Sequence, residues 1–95
     1  MQFEWDEAKN ERNIAIHQID FADVGTLFAY PFLNDIDDRI DYGETRWISI
    51  GMLGPGVAVV VWTERDGDII RIISARKANK DERRRYETFL ANQLG

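Results

Sequence analysis

The chain of 95 residues contains no cysteine and only one histidine. Disulfide bonds, thiolate metal ligands and a cysteine nucleophile are therefore excluded. Because the chain has a single histidine, a pair of histidines cannot serve as the acid and the base of a reaction. The longest apolar run, at residues 57–62, is too short to cross a bilayer. Residues 1–6 lack the basic start and apolar run of a signal peptide. We therefore expect a cytoplasmic protein that does not associate with a membrane.

The positive charge is distributed unevenly along a chain whose net charge is −5. Residues 71–85 hold seven basic and two acidic side chains, a net charge of +5. Residues 1–70 carry five basic and 14 acidic side chains. Such asymmetry is typical of a polyanion-binding site or an interaction segment, here most simply one for RNA. The alternative is a solvated basic helix.

Hydrophobic periodicity predicts an α+β fold over one domain, residues 1–95. A short strand at residues 2–5 precedes two helices, which Asp6 and Asp20 cap and which end near residues 17 and 29. The acidic stretch at residues 30–42 has room for an edge strand. Strands near residues 45–52, 57–62 and 68–75, joined by tight turns, predict an antiparallel meander. A last helix at residues 80–94 starts with Asn79 and Glu82 at capping-box spacing. We expect the helices to pack on one face of an antiparallel sheet.

Three blocks of sequence, in the same order, resemble the BrnT-type toxins. The first is Phe3-Glu4-Trp5-Asp6 with Lys9, Asn13 and His17; the second runs from Tyr42 to Trp47; the third runs from Arg71 to Ala78 and continues with Glu82-Arg83-Arg84 and Tyr86. The resemblance implies a RelE-like fold and a type II toxin that cleaves RNA without a metal. It also implies a BrnA-like ribbon-helix-helix antitoxin, which blocks the toxin and binds operator DNA.

Two positions beside the histidine depart from this family. Many of its members carry lysine before the histidine and glycine after it, whereas this chain has Ile16 and Gln18. The departure keeps a second interpretation open, in which a catalytically weak homologue binds the antitoxin and helps to repress transcription. A third interpretation is a plain nucleic-acid-binding domain, whose affinity would depend strongly on salt.

Metal-free RNA cleavage requires a base for the ribose 2′-OH, positive groups for the charge on phosphate, and an acid for the leaving 5′-oxygen. Arg76, where the last strand meets the last helix, presents a planar fork that matches phosphate oxygens. Glu44 and Arg46, two residues apart, would point the same way along a strand, as base and charge stabiliser. The alternatives are a surface salt bridge for Arg76 and a structural ion pair for the other two.

Two further catalytic candidates carry protons. His17 is the one side chain of a type that exchanges its proton near neutral pH, and it lies at a predicted helix end. Tyr86 has a hydroxyl that could act as the acid. The alternatives are a capping or packing role for His17 and a core position for Tyr86.

The candidate RNA-binding residues are Arg71, Lys77, Lys80 and Arg83. Strict alternation places Arg71 and Arg76 on opposite faces of the strand, so both reach one site only if the strand ends or bulges near Ser74. The run Asp35, Asp37 and Asp38 lacks the glycine and terminal glutamate of an EF-hand loop. We expect a solvated acidic loop there, and neither a metal nor another cofactor.

Overall fold

A computed structural model describes residues 1–94. In chain order its elements are β1 (Gln2–Glu4), α1 (Glu7–His17), α2 (Phe21–Val24) with the 3₁₀ turn Gly25–Ala29, β2 (Leu33–Ile36), β3 (Trp47–Leu53), β4 (Gly56–Arg65), β5 (Ile69–Lys77) and α3 (Lys80–Leu94). Within these residues, every helix is too short or too polar to span a lipid bilayer.

The five strands form one sheet in the order β1-β5-β4-β3-β2. The α+β class, the C-terminal meander, the N-terminal strand and the short edge strand β2 are confirmed. The prediction of a wholly antiparallel sheet was wrong for β1, which pairs parallel to β5 with Glu4 opposite Arg71. Tight hairpin turns enforce antiparallel pairing only between consecutive strands, and β1 is joined to β5 through the rest of the fold.

The sheet is covered on both faces. We call the face that carries Val57, Val59 and Val61 of β4 the front face, and the face that carries Ala58, Val60 and Trp62 the back face. α2 and its 3₁₀ turn cover the back face through Phe21, Val24 and Leu27, whereas Tyr86, Phe89 and Leu90 of α3 cover one end of the front face. The prediction that all helices share one face was therefore wrong. Because β4 is apolar on both faces, each face needs its own cover.

α1 lies along the free edge of β5, beyond the end of β1. Its N-cap Asp6 accepts hydrogen bonds from the Ala8 and Lys9 amides at 2.9 and 3.2 Å, as predicted. The buried Asn13 accepts from the Ala75 amide at 3.2 Å and donates to the Ile19 carbonyl at 3.0 Å. A side chain thus satisfies an edge amide that no strand reaches.

The second predicted helix is confirmed in position but tightens after its first turn. Asp20 caps it through the Ala22 amide at 2.9 Å, and the α-helix gives way to a 3₁₀ turn at Gly25. A Cβ atom at Gly25 would lie 3.0 Å from the Phe3 ring. A glycine there lets the turn approach β1 closely.

Candidate nucleic-acid interface

A bulge in β5 brings Arg71 and Arg76 to the same face of the sheet. The register pairs Val61 with Ser74 and then Trp62 with Ile72, so Ile73 is the extra residue. Arg71 consequently lies opposite Thr63, and Arg76 opposite Val59, both on the front face. A bulge near Ser74 is one of the two geometries in which the sequence allowed the two arginines to serve one site.

Arg46 completes a row across the front face. It precedes Trp47, which pairs with Trp62, so Arg46 falls beside Thr63 with Arg71 on the other side. Two strand spacings, about 10 Å, therefore separate the backbones at Arg46 and Arg71. We call Arg46, Arg71 and Arg76 the arginine patch. α3 covers the far end of the face, and Val61 and Ser74, both half-buried, floor the space between the arginines.

Each arginine of the patch is held by a carboxylate. Arg46 donates through Nε to Glu44 at 3.3 Å, and Arg65 binds the other oxygen of Glu44 at 3.4 Å. Arg71 pairs with Glu4 of β1. Glu44 and Arg46 thus point the same way and touch, as the sequence predicted, and their contact is also the ion pair of the alternative interpretation.

Arg76 and Glu82 form a two-pronged ion pair at the N-terminus of α3. The Arg76 Nη1 and Nη2 atoms lie 2.7 and 2.8 Å from the two Glu82 carboxylate oxygens. Glu82 also accepts from the Asn79 amide at 2.9 Å, and Asn79 accepts from the Glu82 amide at 2.8 Å, which completes the expected capping box. These bonds from Arg76 and Asn79 lower the pKa of Glu82, against the effect of burial. Arg76 is therefore fixed in direction, and its side chain remains 43% exposed.

Two of the other basic candidates line a separate cavity. Lys77, Lys80 and Arg83 are exposed. Lys77 and Arg83 line a cavity of about 610 Å³ between the α1–α2 junction and the β3–β4 turn. Asp20 and Asp23 line the opposite wall, so this cavity is of mixed charge and does not include the arginine patch. The basic segment at residues 71–85 is consequently divided between at least two surfaces.

His17 and Tyr86 are placed differently from each other. His17 is half-buried at the end of α1, on the same side of that helix as Asn13, which faces the β5 edge. Tyr86 is 1% exposed, and its hydroxyl donates to the Pro31 carbonyl at 2.8 Å. The structure thus favours the core alternative for Tyr86.

The residues flanking His17 show what the two sequence departures do locally. Gln18 ends α1 in the left-handed conformation, φ 57°, with its amide bonded to the Ile14 carbonyl at 2.9 Å. Glycine adopts this conformation most readily, so a glycine at this position would end the helix with less strain. Ile16 is 67% exposed, so replacing a lysine with this residue removes a surface charge and leaves the core unchanged.

Sequence reasoning missed the loop between β2 and β3. Asp37 was assigned to a solvated acidic loop, but its side chain is 1% exposed and binds Arg39 at 2.8 Å and the Tyr42 hydroxyl at 3.1 Å. The Tyr42 ring lies under Arg46, with the guanidinium carbon 3.8 Å from the ring centre. Among residues 1–94, no three histidine, aspartate or glutamate side chains converge as a metal-ligand group. The sequence signal for this buried carboxylate was that Arg39 and Tyr42, two possible hydrogen-bond donors, follow Asp37 within five residues.

Comparisons with known proteins identify the family of the chain. The family model described as "Ribonuclease toxin, BrnT, of type II toxin-antitoxin system" matches residues 5–82. No curated protein matches the chain significantly. The chain is similar to the crystal structure of the Brucella abortus ribonuclease toxin BrnT, with a TM-score of 0.66 and 28% identity, over 84% of this chain and 99% of that one. The chain therefore belongs to the BrnT family of ribonuclease toxins of type II toxin–antitoxin systems.

Proposed function

We propose that the front face is the cleavage site of a metal-independent endoribonuclease. The observation that carries the proposal is the bulge at Ile73, because it puts Arg71 and Arg76 on one face with Arg46 and Glu44. Three guanidinium groups surround the surface formed by Val61 and Ser74, where they can bind successive phosphates of an RNA backbone. A carboxylate beside them can accept a proton.

The proposed reaction uses the ribose of the substrate as the nucleophile. Glu44 takes the proton of a 2′-OH, whose oxygen attacks the adjacent phosphorus. The 5′-oxygen leaves and takes up a proton, so the products are a 2′,3′-cyclic phosphate and a 5′-hydroxyl. Arg76 and Arg46 stabilise the negative charge on the phosphate oxygens, and Arg71 binds RNA beside them. His17 remains the candidate acid from the edge of β5. Tyr86 has no part in the proposal.

The carboxylate partners give the patch a fixed geometry. Glu82 holds Arg76 from the α3 side, and Glu4 holds Arg71 from β1. Arginine has five N–H donors, so a carboxylate that engages two of them leaves others for phosphate. Because each guanidinium is held in place before RNA binds, less conformational entropy is lost when the transition state forms.

Arg76→Ala is the direct test of this site. We expect RNA cleavage in the presence of EDTA to fall by about 10²–10³-fold, the usual effect of losing one charge-stabilising donor. Arg12→Ala, at an exposed position of α1, is the control for removing a positive charge and should cut normally. Cleavage by Arg76→Ala at the wild-type rate would exclude Arg76 from the mechanism. A wild-type protein that cuts no RNA, with or without ribosomes, would overturn the enzymatic proposal.

The partner in this proposal is a BrnA-like ribbon-helix-helix antitoxin, which would neutralise the toxin and bring the complex to operator DNA. Both would act in the cytoplasm. The exposed Lys77, Lys80 and Arg83 offer basic side chains for an acidic antitoxin segment. If expression of this chain arrests growth and co-expression of the neighbouring gene relieves the arrest, the result would support a neutralising antitoxin.

A second candidate function is a catalytically weak homologue that binds the antitoxin and acts as a co-repressor. The observation in its favour is that every arginine of the patch is already paired with a carboxylate. Ile16 also stands where the resemblance to the family implies a lysine. Expression without any growth defect, together with a tight antitoxin complex, would favour this function over cleavage.

A further inference from the structure

Among the ion pairs of residues 1–94, Arg39–Asp37 shows the largest difference in exposure between its two members. The Arg39 side chain is 69% exposed, whereas that of Asp37 is 1% exposed. In the Arg71–Glu4 and Arg46–Glu44 pairs the carboxylate is the more exposed member. In the Arg76–Glu82 pair the exposed fractions are 43% and 18%. A polyanion that approaches Arg39 therefore meets a guanidinium whose counter-charge is hidden.

Asp37 is anchored from three directions. Its carboxylate accepts from Arg39 Nε and Nη2 at 2.8 and 3.0 Å and from the Tyr42 hydroxyl at 3.1 Å. Its amide donates to the Arg46 carbonyl at 2.7 Å. The hydrogen bonds from Arg39 lower the pKa of Asp37 to about 2, so the carboxylate stays charged at neutral pH. The loop thus holds the Arg39 guanidinium through two hydrogen bonds while the side chain stays exposed.

Tyr42 links this loop to the arginine patch. Its hydroxyl reaches Asp37, and its ring face supports the Arg46 guanidinium at 3.8 Å, a cation–π distance. Tyr42 therefore contacts both the carboxylate that holds Arg39 and the guanidinium of Arg46. The hydrogen bonds to Glu82 raise the pKa of Arg76, and the positive charge of Arg39 opposes this rise, so Arg39 lies within electrostatic range of the patch.

We propose that Arg39 is a second phosphate-binding residue, which holds an RNA phosphate next to the one bound by the arginine patch. This inference rests on the proposed ribonuclease function and names a contact outside the blocks that resemble the family. Asp37 takes two of the five N–H donors of Arg39, and three remain for phosphate oxygens. Asp37 and Tyr42 are positioning residues, since they act through Arg39 and Arg46.

Binding to uncleavable RNA tests this contact apart from catalysis. A short mixed-sequence 2′-O-methyl RNA lacks the nucleophilic hydroxyl, and fluorescence anisotropy over a range of salt gives its affinity. We expect Arg39→Gln to bind about tenfold more weakly, and the slope of log K against log salt to become shallower by about 0.7, the value for one phosphate contact on a single strand. Arg12→Gln loses the same charge on α1 and should keep the wild-type affinity and slope.

Tyr42→Phe tests the positioning role. It keeps the ring under Arg46 and all charges, but removes the hydrogen bond to Asp37. We expect affinity to fall by about threefold while the salt slope stays that of the wild type, because the number of phosphate contacts is unchanged. Wild-type affinity in Tyr42→Phe would overturn the positioning role.

The outcomes separate this inference from the proposed function. A wild-type protein that cuts RNA, together with Arg39→Gln binding as Arg12→Gln does, would overturn the Arg39 contact alone. Loss of antitoxin binding in Arg39→Gln with unchanged RNA binding would also overturn it, in favour of a protein contact. A wild-type protein that neither binds nor cuts RNA would overturn both proposals. If Arg39→Gln does not fold, Arg39→Lys replaces it, and wild-type affinity in that variant would overturn the need for a guanidinium fork.

Discussion

The Tyr86 hydroxyl illustrates how contacts decide the chemistry of a residue. Its hydroxyl suggested an acid for the leaving oxygen, but this hydroxyl donates to the Pro31 carbonyl and the side chain is 1% exposed. Burial raises the pKa of Tyr86, which makes proton release harder still. Its ring packs with Ile50 and Val59 on the front face. At the residue scale, Tyr86 joins α3 and the loop before β2 to the sheet.

Tyr86→Phe should separate these roles. We expect the free energy of unfolding to fall by about 1–2 kcal/mol, because the Pro31 carbonyl loses a buried donor. RNA cleavage should remain at the wild-type rate. Urea unfolding and a cleavage assay on the same preparation measure both effects. A folded Tyr86→Phe variant that has lost cleavage would restore the acid role.

The 3₁₀ turn Gly25–Ala29 packs against β3 at a glycine, which sets the distance between these elements. A Cβ atom at Gly51 would lie 2.9 Å from Leu27 Cγ and 3.1 Å from Phe32 Cβ. Both neighbours belong to the back-face core, where Leu27 is fully buried. At the element scale, Gly51 therefore allows the turn to approach β3 this closely.

Gly51→Ala should destabilise the protein by about 1–3 kcal/mol, the usual result of overpacking a core. Gly56→Ala is the matched control, because it adds the same methyl group where no atom lies within 4 Å. That variant should stay within about 0.5 kcal/mol of the wild type. Thermal or urea unfolding compares the two, and equal stability would mean that the close approach of the turn to β3 is not required.

Charge organises the whole molecule through pairs that join distant parts of the chain. Arg71, Arg76 and Arg85 of the basic segment bind Glu4 of β1, Glu82 of α3 and Asp35 of β2, respectively. The segment thus joins sheet strands and helix, while Lys77, Lys80, Arg83 and Arg84 are exposed. Exposed pairs stabilise a protein little, so their main effect is on geometry. The Arg39–Asp37 pair is not of this exposed kind, because the Asp37 carboxylate is buried.

Stability should fall in acid because several carboxylates have lowered pKa values in the folded state. Asp37 titrates at about 2 when folded and near 3.8 when unfolded, so its contribution is complete above pH 4 and is lost as pH falls toward 2. The pKa values of Glu82, Asp6 and Asp20 are lowered in the same direction. Asp37→Asn should have a lower Tm at pH 7 and a shallower fall of Tm between pH 4 and 2.

Circular dichroism melts from pH 7 to pH 2 measure this difference. Asp38→Asn, which changes an exposed neighbour, is the control and should follow the wild type throughout. A parallel fall of Tm in Asp37→Asn and the wild type would show that Asp37 does not contribute to the acid transition.

Much of the fold could be predicted because its signals are local. Asp6, Asp20 and Asn79 with Glu82 cap helices through bonds that span two or three residues. The tight turns between successive strands predicted the antiparallel meander. Glu44, Arg46 and Arg76 were chosen as site residues by residue type and position; the structure places them on one face of the sheet, and their catalytic roles stay a prediction.

What the sequence could not provide depends on contacts between distant residues. Strict alternation separated Arg71 from Arg76, and only the pairing of β5 with β4 leaves Ile73 out of register. Asp37 was expected in a solvated loop, but its side chain is buried and its amide bonds to the Arg46 carbonyl, nine residues along the chain.

Composition, periodicity and capping residues determined the α+β class, the order of the elements and the concentration of positive charge, since each arises from neighbours along the chain. The parallel pairing of β1, the helix on each face of the sheet and the common face of Arg71 and Arg76 were decided only by the tertiary structure. Register and packing join residues that are tens of positions apart, and local sequence carries no information about such distances.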